Sequence, residues 1–347
     1  MKAAIYGGKQ SVLMEERPVP ACGDQDVLLQ NLYASICGTD VAVYTRGPGT
    51  GHKITVGGEF GHEVVCRVAA VGKDVTDFRV GEIVYPYPLL VTGDTGRAGT
   101  IGGFSEYILA PDPKPGKQLY KVPDSIPPKI ACLIEPFTVG TRAARRSWPQ
   151  PGENAIVFGA GTIGIAAAIA LKEFGCKQVL LTDLSDLRLE KAAGLGFATC
   201  NSGKEDLKAK AMAVFGTARS LAGETADADI YIDAAGAPDL IELYQNMGKI
   251  QSRLVVVAVL AGKRPIDVLA MTYAQHAIIG SGGYMPEDVT MVMDVMASGT
   301  YDIASIITHE FPHERLAEAI ETAAQTDTAL NVVIRYDVAL PCIKTSG

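Results

Sequence analysis

The strongest constraint on the fold lies in the middle of the chain. A compact apolar run at 154–159, NAIVFG, ends in glycines, and an alanine-rich stretch of good helix formers comes next at 162–174. Between them stands Gly159-Ala160-Gly161-Thr162-Ile163-Gly164, a G-x-G-x-x-G. A second apolar run, QVLLTD, ends in Asp183, 19 residues beyond Gly164. Strand, glycine turn, helix, strand and terminal acid in that order form a dinucleotide-binding fingerprint. Gly159 permits the tight turn, Gly161 lets backbone approach a pyrophosphate, and Gly164 allows close helix–strand packing. The helix N-terminus offers free N–H groups and a positive dipole end to the phosphates. A carboxylate at Asp183 bonds ribose hydroxyls and repels a 2′-phosphate, which favours NAD over NADP. Arg188 is the exception to watch, as a cation near the same adenosine edge or a surface arginine on an amphipathic helix.

The pattern continues downstream. An amphipathic helix is expected over 184–195, strands over 229–235 and 253–260, and a helix over 239–250. Strands alternating with helices imply a parallel sheet. Upstream, the first 110 residues read as short strands, at 26–33, 63–71 and 81–85, separated by Gly57-Gly58, Gly72, Gly81 and Gly102-Gly103. No stretch there keeps helical spacing for long, and an antiparallel barrel or sandwich is expected. The segment 288–325 reads as two helices around 302–311, and 331–336 as a closing strand. At 347 residues, with roughly 150 per domain, the chain suggests two domains.

Composition excludes other classes. A net charge of −8 gives no electrostatic reason to bind nucleic acid or an anionic membrane surface. No apolar stretch approaches the ~20 residues of a membrane helix, and the N-terminus lacks an apolar leader. Seven cysteines, none in a C-x-x-C pair, argue against a disulfide framework or a thiolate-clamped structural metal. A soluble, cytoplasmic protein is expected.

Cys37-Gly38-Thr39-Asp40, Gly61-His62-Glu63 and Glu135-Pro136 supply thiolate, imidazole and carboxylate, the ligands zinc takes when a catalytic site keeps one position open. Spacing alone does not bring them together. The combination CGTD, GHE, IEPFTVG, GAGTIG and LLTDLSDLRLEKA, however, resembles the zinc-dependent medium-chain dehydrogenase/reductase family, nearest its sorbitol (polyol) and butanediol dehydrogenase branch. The motifs run in order from Met1 to about Tyr336. The resemblance implies an α/β protein. A GroES-like, β-rich catalytic domain over 1–140 and 285–347 would be interrupted by a Rossmann coenzyme domain over 141–284.

Position by position, the resemblance makes Cys37 and His62 zinc ligands, with Glu63 and Glu135 at or near the metal and their roles undivided. Thr39 matches a proton-relay hydroxyl, and Asp40 a carboxylate behind the His ligand or a turn cap. Gly159, Gly161, Thr162, Ile163, Gly164, Asp183, Arg188 and Val259 form the implied cofactor set. Two departures stand out. The region 85–103, where relatives often carry four cysteines around a structural zinc, has none, so one zinc per chain is expected. Ala42-Val43 and Gly283-Tyr284 replace the His-Tyr and Arg-Tyr pairs of polyol dehydrogenases, which weakens the polyol assignment.

The implied activity is hydride transfer between NAD and a secondary alcohol/ketone pair, a polyol, diol or related hydroxy compound. Zinc-free quinone or alkene reductases of the same fold are one alternative, but they have no need of the four retained ligand candidates. A non-catalytic NAD-binding protein is another, opposed by the intact ligand set and hydroxyl. A homo-oligomer, dimer or tetramer, is implied through the edge of the coenzyme domain. His276, His309 and His313 are expected to pack or face solvent, and Trp148 to pack.

Overall fold

The computed structural model describes residues 1–50, 54–91, 101–259 and 262–337. The chain divides into two compact units. One contains Met1–Glu135, Met293–Gln325 and the chain from Asn331 onward; the other contains Pro136–Val292 and Thr326–Leu330.

The first unit is built on a seven-stranded sheet. Its order is Ile307–Pro312, Asn331–Arg335, Val27–Ser35, Glu63–Val71, Ile83–Pro86, Leu119–Lys121, with Tyr107–Ala110 also paired to Val27–Ser35. Every pair is antiparallel except the first. A separate hairpin joins Lys2–Gly8 to Ser11–Glu16. Val27, Leu29, Ala34, Val64, Val65 and Cys66 are wholly buried, so both long central strands are covered on each face. Their register brings two motifs side by side. Ser35 pairs with Glu63, so the strand leading to Cys37 ends opposite the strand that begins at Glu63.

The N-terminal region is not purely β. Gly38–Arg46 is an α-helix with Cys37 at its N-cap. At nine residues it is too short to show a clear 3.6-residue period in the sequence. Asp40 holds its start by accepting the Cys37 backbone N–H through Oδ2 at 3.1 Å.

The second unit holds a six-stranded, wholly parallel sheet. Its order is Ala198–Asn201, Gln178–Asp183, Asn154–Phe158, Ile230–Asp233, Arg253–Val256, Ala277–Gly280. Asn154–Phe158 is the first of these strands in the chain and lies in the middle. The order therefore reverses beside it, which is where a parallel α/β sheet opens a binding crevice at its carboxyl edge. Helices Thr162–Glu173, Asp186–Gly194 and Leu240–Met247 fall inside the expected spans. The run at 253–260 is a strand only to Val256, because Val257 and Ala258 both donate their N–H groups to the Asp233 carbonyl and turn out of the ladder. The interval 302–311 includes a parallel edge strand, Ile307–Pro312, between a 3₁₀ turn and the helix Leu316–Ala323. Trp148 does not pack: it is 59% exposed beneath the Arg146 guanidinium.

Among the described residues no helix is long and apolar enough to cross a membrane. The six cysteines among them are free. The cysteine-free region 85–103 lies partly outside the described residues.

Candidate functional site

Cys37, His62 and Glu63 converge in the first unit, with one ligand atom from each within 4.8 Å of the others. Cys37 arrives on the helix cap, and His62 and Glu63 arrive where the paired strand begins. A close backbone approach sets their position. Gly103 and Phe104 donate their N–H groups to the carbonyls of Gly61 and Phe60, both at 2.8 Å. A Cβ on Gly61 would lie 2.6 Å from the Phe104 ring, and one on Gly103 would lie 2.9 Å from the Gly61 backbone. Gly103 is thus required by contact rather than by a turn.

Asp40 is fully buried, with its Oδ1 3.8 Å from His62 Nδ1. That distance is electrostatic rather than a hydrogen bond. It sets the Nδ1 edge of the imidazole toward a carboxylate. Asp40 is therefore both the helix cap and the partner of His62. Burial raises its carboxyl to about 6. Glu135, buried in the first turn of helix Ile134–Arg146, lies outside the 4.8 Å group. Its charge nevertheless acts on both Cys37 and His62.

The cluster carries excess negative charge. Burial pushes the Cys37 thiol well above its ordinary value, and Glu63, Asp40 and Glu135 push it further, with only the Thr39 hydroxyl bond opposing. For His62, burial alone would lower the imidazole, but Asp40, Glu135 and Glu63 outweigh it and raise the pKa. At an effective dielectric of about 20, like charges about 5 Å apart repel by roughly 3 kcal/mol. Deprotonating the Cys37 thiol at that spacing is therefore costly unless a cation sits among the donors. Thiol, imidazole and carboxylate are also a zinc donor set. The residues fit a divalent metal.

The second unit carries the residues expected to bind a dinucleotide. Gly159 ends the strand Asn154–Phe158, Gly161 caps helix Thr162–Glu173, and half-buried Thr162 and Ile163 form its first turn. A Cβ on Gly164 would fall 1.8 Å from the Gly159 carbonyl oxygen, so Gly164 is fixed by packing. At Gly161 the nearest atom would be Arg188 Nη1 at 3.7 Å, so the space over this glycine is open. That is a cradle a ligand's phosphates fit and a side chain would fill. Asp183 Oδ2 accepts the Ala160 N–H at 2.7 Å, and Oδ1 accepts those of Leu184 and Ser185 at 2.7 and 2.9 Å. Arg188 turns Nε and Nη2 onto the Ala329 carbonyl at 3.3 and 3.2 Å, and burial lowers its pKa. Val259 is 71% exposed beyond the strand Arg253–Val256, beside the undescribed 260–261.

One acid at this edge escapes sequence inspection. Asp233 is fully buried at the end of its strand and accepts the N–H groups of Ala235 and Gly236 at 3.1 and 2.7 Å, shaping the loop next to the Gly159 turn. In sequence it resembles any strand-ending Asp. The remaining histidines bond elsewhere: His276 to the Gly248 and Lys249 carbonyls, His309 to Thr308, and His313 to Phe104. His52 lies outside the described residues.

A thiol–imidazole–carboxylate cluster and a glycine-turn parallel sheet in one chain are the combination expected of a metal-assisted dehydrogenase. Comparison with known proteins agrees. The zinc-binding dehydrogenase family matches residues 162–298, and the alcohol dehydrogenase GroES-like domain matches 23–124. L-threonine 3-dehydrogenase of Anaeromyxobacter sp. (strain K) is 30% identical, covering 90% of this chain and 92% of its own length. Sorbitol dehydrogenase of Bacillus subtilis (strain 168) is 27% identical, covering 94% of both. The crystal structure of 2R,3R-butanediol dehydrogenase from Bacillus subtilis superposes with a TM-score of 0.82 at 24% identity, over 96% of this chain and 99% of that one. The chain belongs to the zinc-dependent medium-chain alcohol dehydrogenase family, with its GroES-like and Rossmann architecture. It is an oxidoreductase of the alcohol and polyol class.

Proposed function

We propose that this enzyme interconverts a secondary alcohol and a ketone using NAD, with one zinc per chain held by Cys37, His62 and Glu63. The observation that carries the proposal is the gathering of those three donor atoms within 4.8 Å of one another, with Asp40 and Glu135 buried nearby. Glu63 is the third ligand, and Glu135, outside the group, tunes the charge around it. When bound, zinc supplies the Lewis acidity that lowers the pKa of an alcohol hydroxyl, and the nicotinamide supplies the hydride acceptor. The protein's work is position and proton management. Thr39, in the first turn of the helix that Cys37 caps, takes the alcohol proton on its Oγ1 and passes its own outward. Asp40 orients His62 from behind. Zinc-free hydride transfer would leave the buried donor set without use.

Asp183 supports NAD over NADP. Its carboxylate is fixed by three backbone N–H groups, so it cannot swing away from a 2′-phosphate. Arg188 does not compensate, because its fork is committed to Ala329. The substrate is a small diol, polyol or hydroxy compound; Gly283, in place of an arginine, removes a donor for a sugar-like substrate and favours one needing fewer polar contacts than a full sugar alcohol. Assembly as a homo-oligomer through the open edge strand Ala277–Gly280, and a cytoplasmic location suited to free thiols, complete the proposal.

The test is a screen for reduced cofactor over vicinal diols, polyols, hydroxy acids and simple secondary alcohols, run with NAD and NADP in parallel. Turnover of a secondary alcohol with NAD, at least tenfold over NADP, supports the reading. Preference for NADP, or activity only on quinones or alkenes, contradicts it.

A further inference from the structure

His62 and Glu63 are held from behind by the segment Gly103-Phe104-Ser105, and that segment is itself gripped by three buried side chains. Asn31 Nδ2 donates to the Gly103 and Ser105 carbonyls at 3.0 and 2.6 Å. Tyr336 donates its hydroxyl to the Gly103 carbonyl at 2.7 Å. His313 Nε2 reaches the Phe104 carbonyl at 2.9 Å; a carbonyl only accepts, so this nitrogen carries the proton. The three residues come from separate parts of the chain: the strand Val27–Ser35, the turn His313–Arg315, and the position just after the strand Asn331–Arg335. They also brace one another. The Cys66 thiol donates to Asn31 Oδ1 at 3.0 Å, and the His313 and Tyr336 rings lie 4.6 Å apart.

We propose that Asn31, His313 and Tyr336 are positioning residues for the metal centre: they clamp three consecutive carbonyls so that the N–H groups of Gly103 and Phe104 hold Gly61 and Phe60, and with them the ligand pair His62-Glu63. None of the three touches the donor atoms. The Phe104 carbonyl also accepts the Ala4 backbone N–H at 3.0 Å, so His313 adds a second, side-chain donor to a carbonyl already paired. Three side chains, none more than 6% exposed, converge on one tripeptide whose own N–H groups bond the residues just before the ligands. The inference rests on the zinc reading of Cys37, His62 and Glu63.

The experiment uses the full chain and compares Tyr336→Phe, His313→Phe and His313→Gln with the wild type. Phe78→Leu, a truncation of a buried side chain elsewhere in the same unit, serves as the stability control. Zinc affinity is measured by chelator competition, and ligand geometry by the absorption spectrum of the cobalt-substituted protein. Tyr336→Phe and His313→Phe are expected to weaken zinc binding by about tenfold or more, the range typical of residues that orient metal ligands. They should also shift the cobalt spectrum, while His313→Gln, which keeps a donor, restores both. Phe78→Leu should lower the melting temperature without moving either. If the clamp variants melt early but keep wild-type zinc affinity and an unchanged cobalt spectrum, their role is structural only and the proposal fails. A wild-type chain that binds neither metal overturns the zinc reading itself and the clamp's role with it.

Discussion

At the scale of single residues, two glycines three positions apart serve different ends. A Cβ on Gly164 would collide with the Gly159 carbonyl at 1.8 Å, while one on Gly161 would meet only the Arg188 tip at 3.7 Å. Gly161→Ala should therefore fold normally, with a melting temperature near wild type, and lose dinucleotide affinity by roughly tenfold or more, since its methyl occupies phosphate space. Gly164→Ala should fail earlier, as loss of soluble protein or of the cooperative transition. Equal effects of both on melting would contradict the distinction. Asp40 shows the same economy of placement, capping a helix with one oxygen and facing His62 with the other.

At the scale of elements, legibility in the sequence depends on how far apart along the chain the partners are. The strand–turn–helix–strand of 154–183 is legible because its logic is local: every residue it needs lies within thirty positions. The donor cluster is not legible from spacing. Cys37, His62 and Glu63 meet only because Ser35 pairs with Glu63, and a register is invisible until two strands are known to be neighbours. Resemblance to a family supplies what spacing cannot. The helix Gly38–Arg46 escapes the sequence for its shortness, and Asp233 and the Asn31–His313–Tyr336 clamp for lack of any motif.

Helix packing in the second unit also turns on one buried charge. Asp288, fully buried in the helix Pro286–Ser298, accepts Arg145 Nε at 2.6 Å and the Met285 N–H at 3.0 Å. Arg145 is partly exposed, so its stranded charge can be hydrated and the loss on Asp288→Ala should be about 2 kcal/mol, short of a fully buried pair. A urea midpoint indistinguishable from wild type would show the pair to be dispensable.

At the scale of the whole molecule, acid sensitivity is expected from two buried histidines, His276 and His313. Burial lowers the pKa of both His276 and His313, and their backbone hydrogen bonds only partly oppose it. The unfolded chain takes up these protons near pH 6.5, and the folded chain only at lower pH. In that interval the unfolded state binds more protons. Their contribution is therefore fully present above about pH 6.5 and is lost as pH falls. Urea midpoints at pH 7.5 and 5.5 should show the decline, and His276→Gln should reduce its slope. An unchanged slope would assign the decline to other groups.

The proposed mechanism needs both the dinucleotide-binding residues and the three-residue metal centre of one alcohol dehydrogenase. Its most direct test is Cys37→Ala, assayed for zinc content, NAD binding and alcohol oxidation on one preparation. One zinc per wild-type chain is expected. The variant should lose that zinc and at least a thousandfold in turnover, as when the Lewis acid of a metal-dependent step is removed, with the NAD dissociation constant nearly unchanged. Wild-type turnover by a zinc-free variant would contradict it.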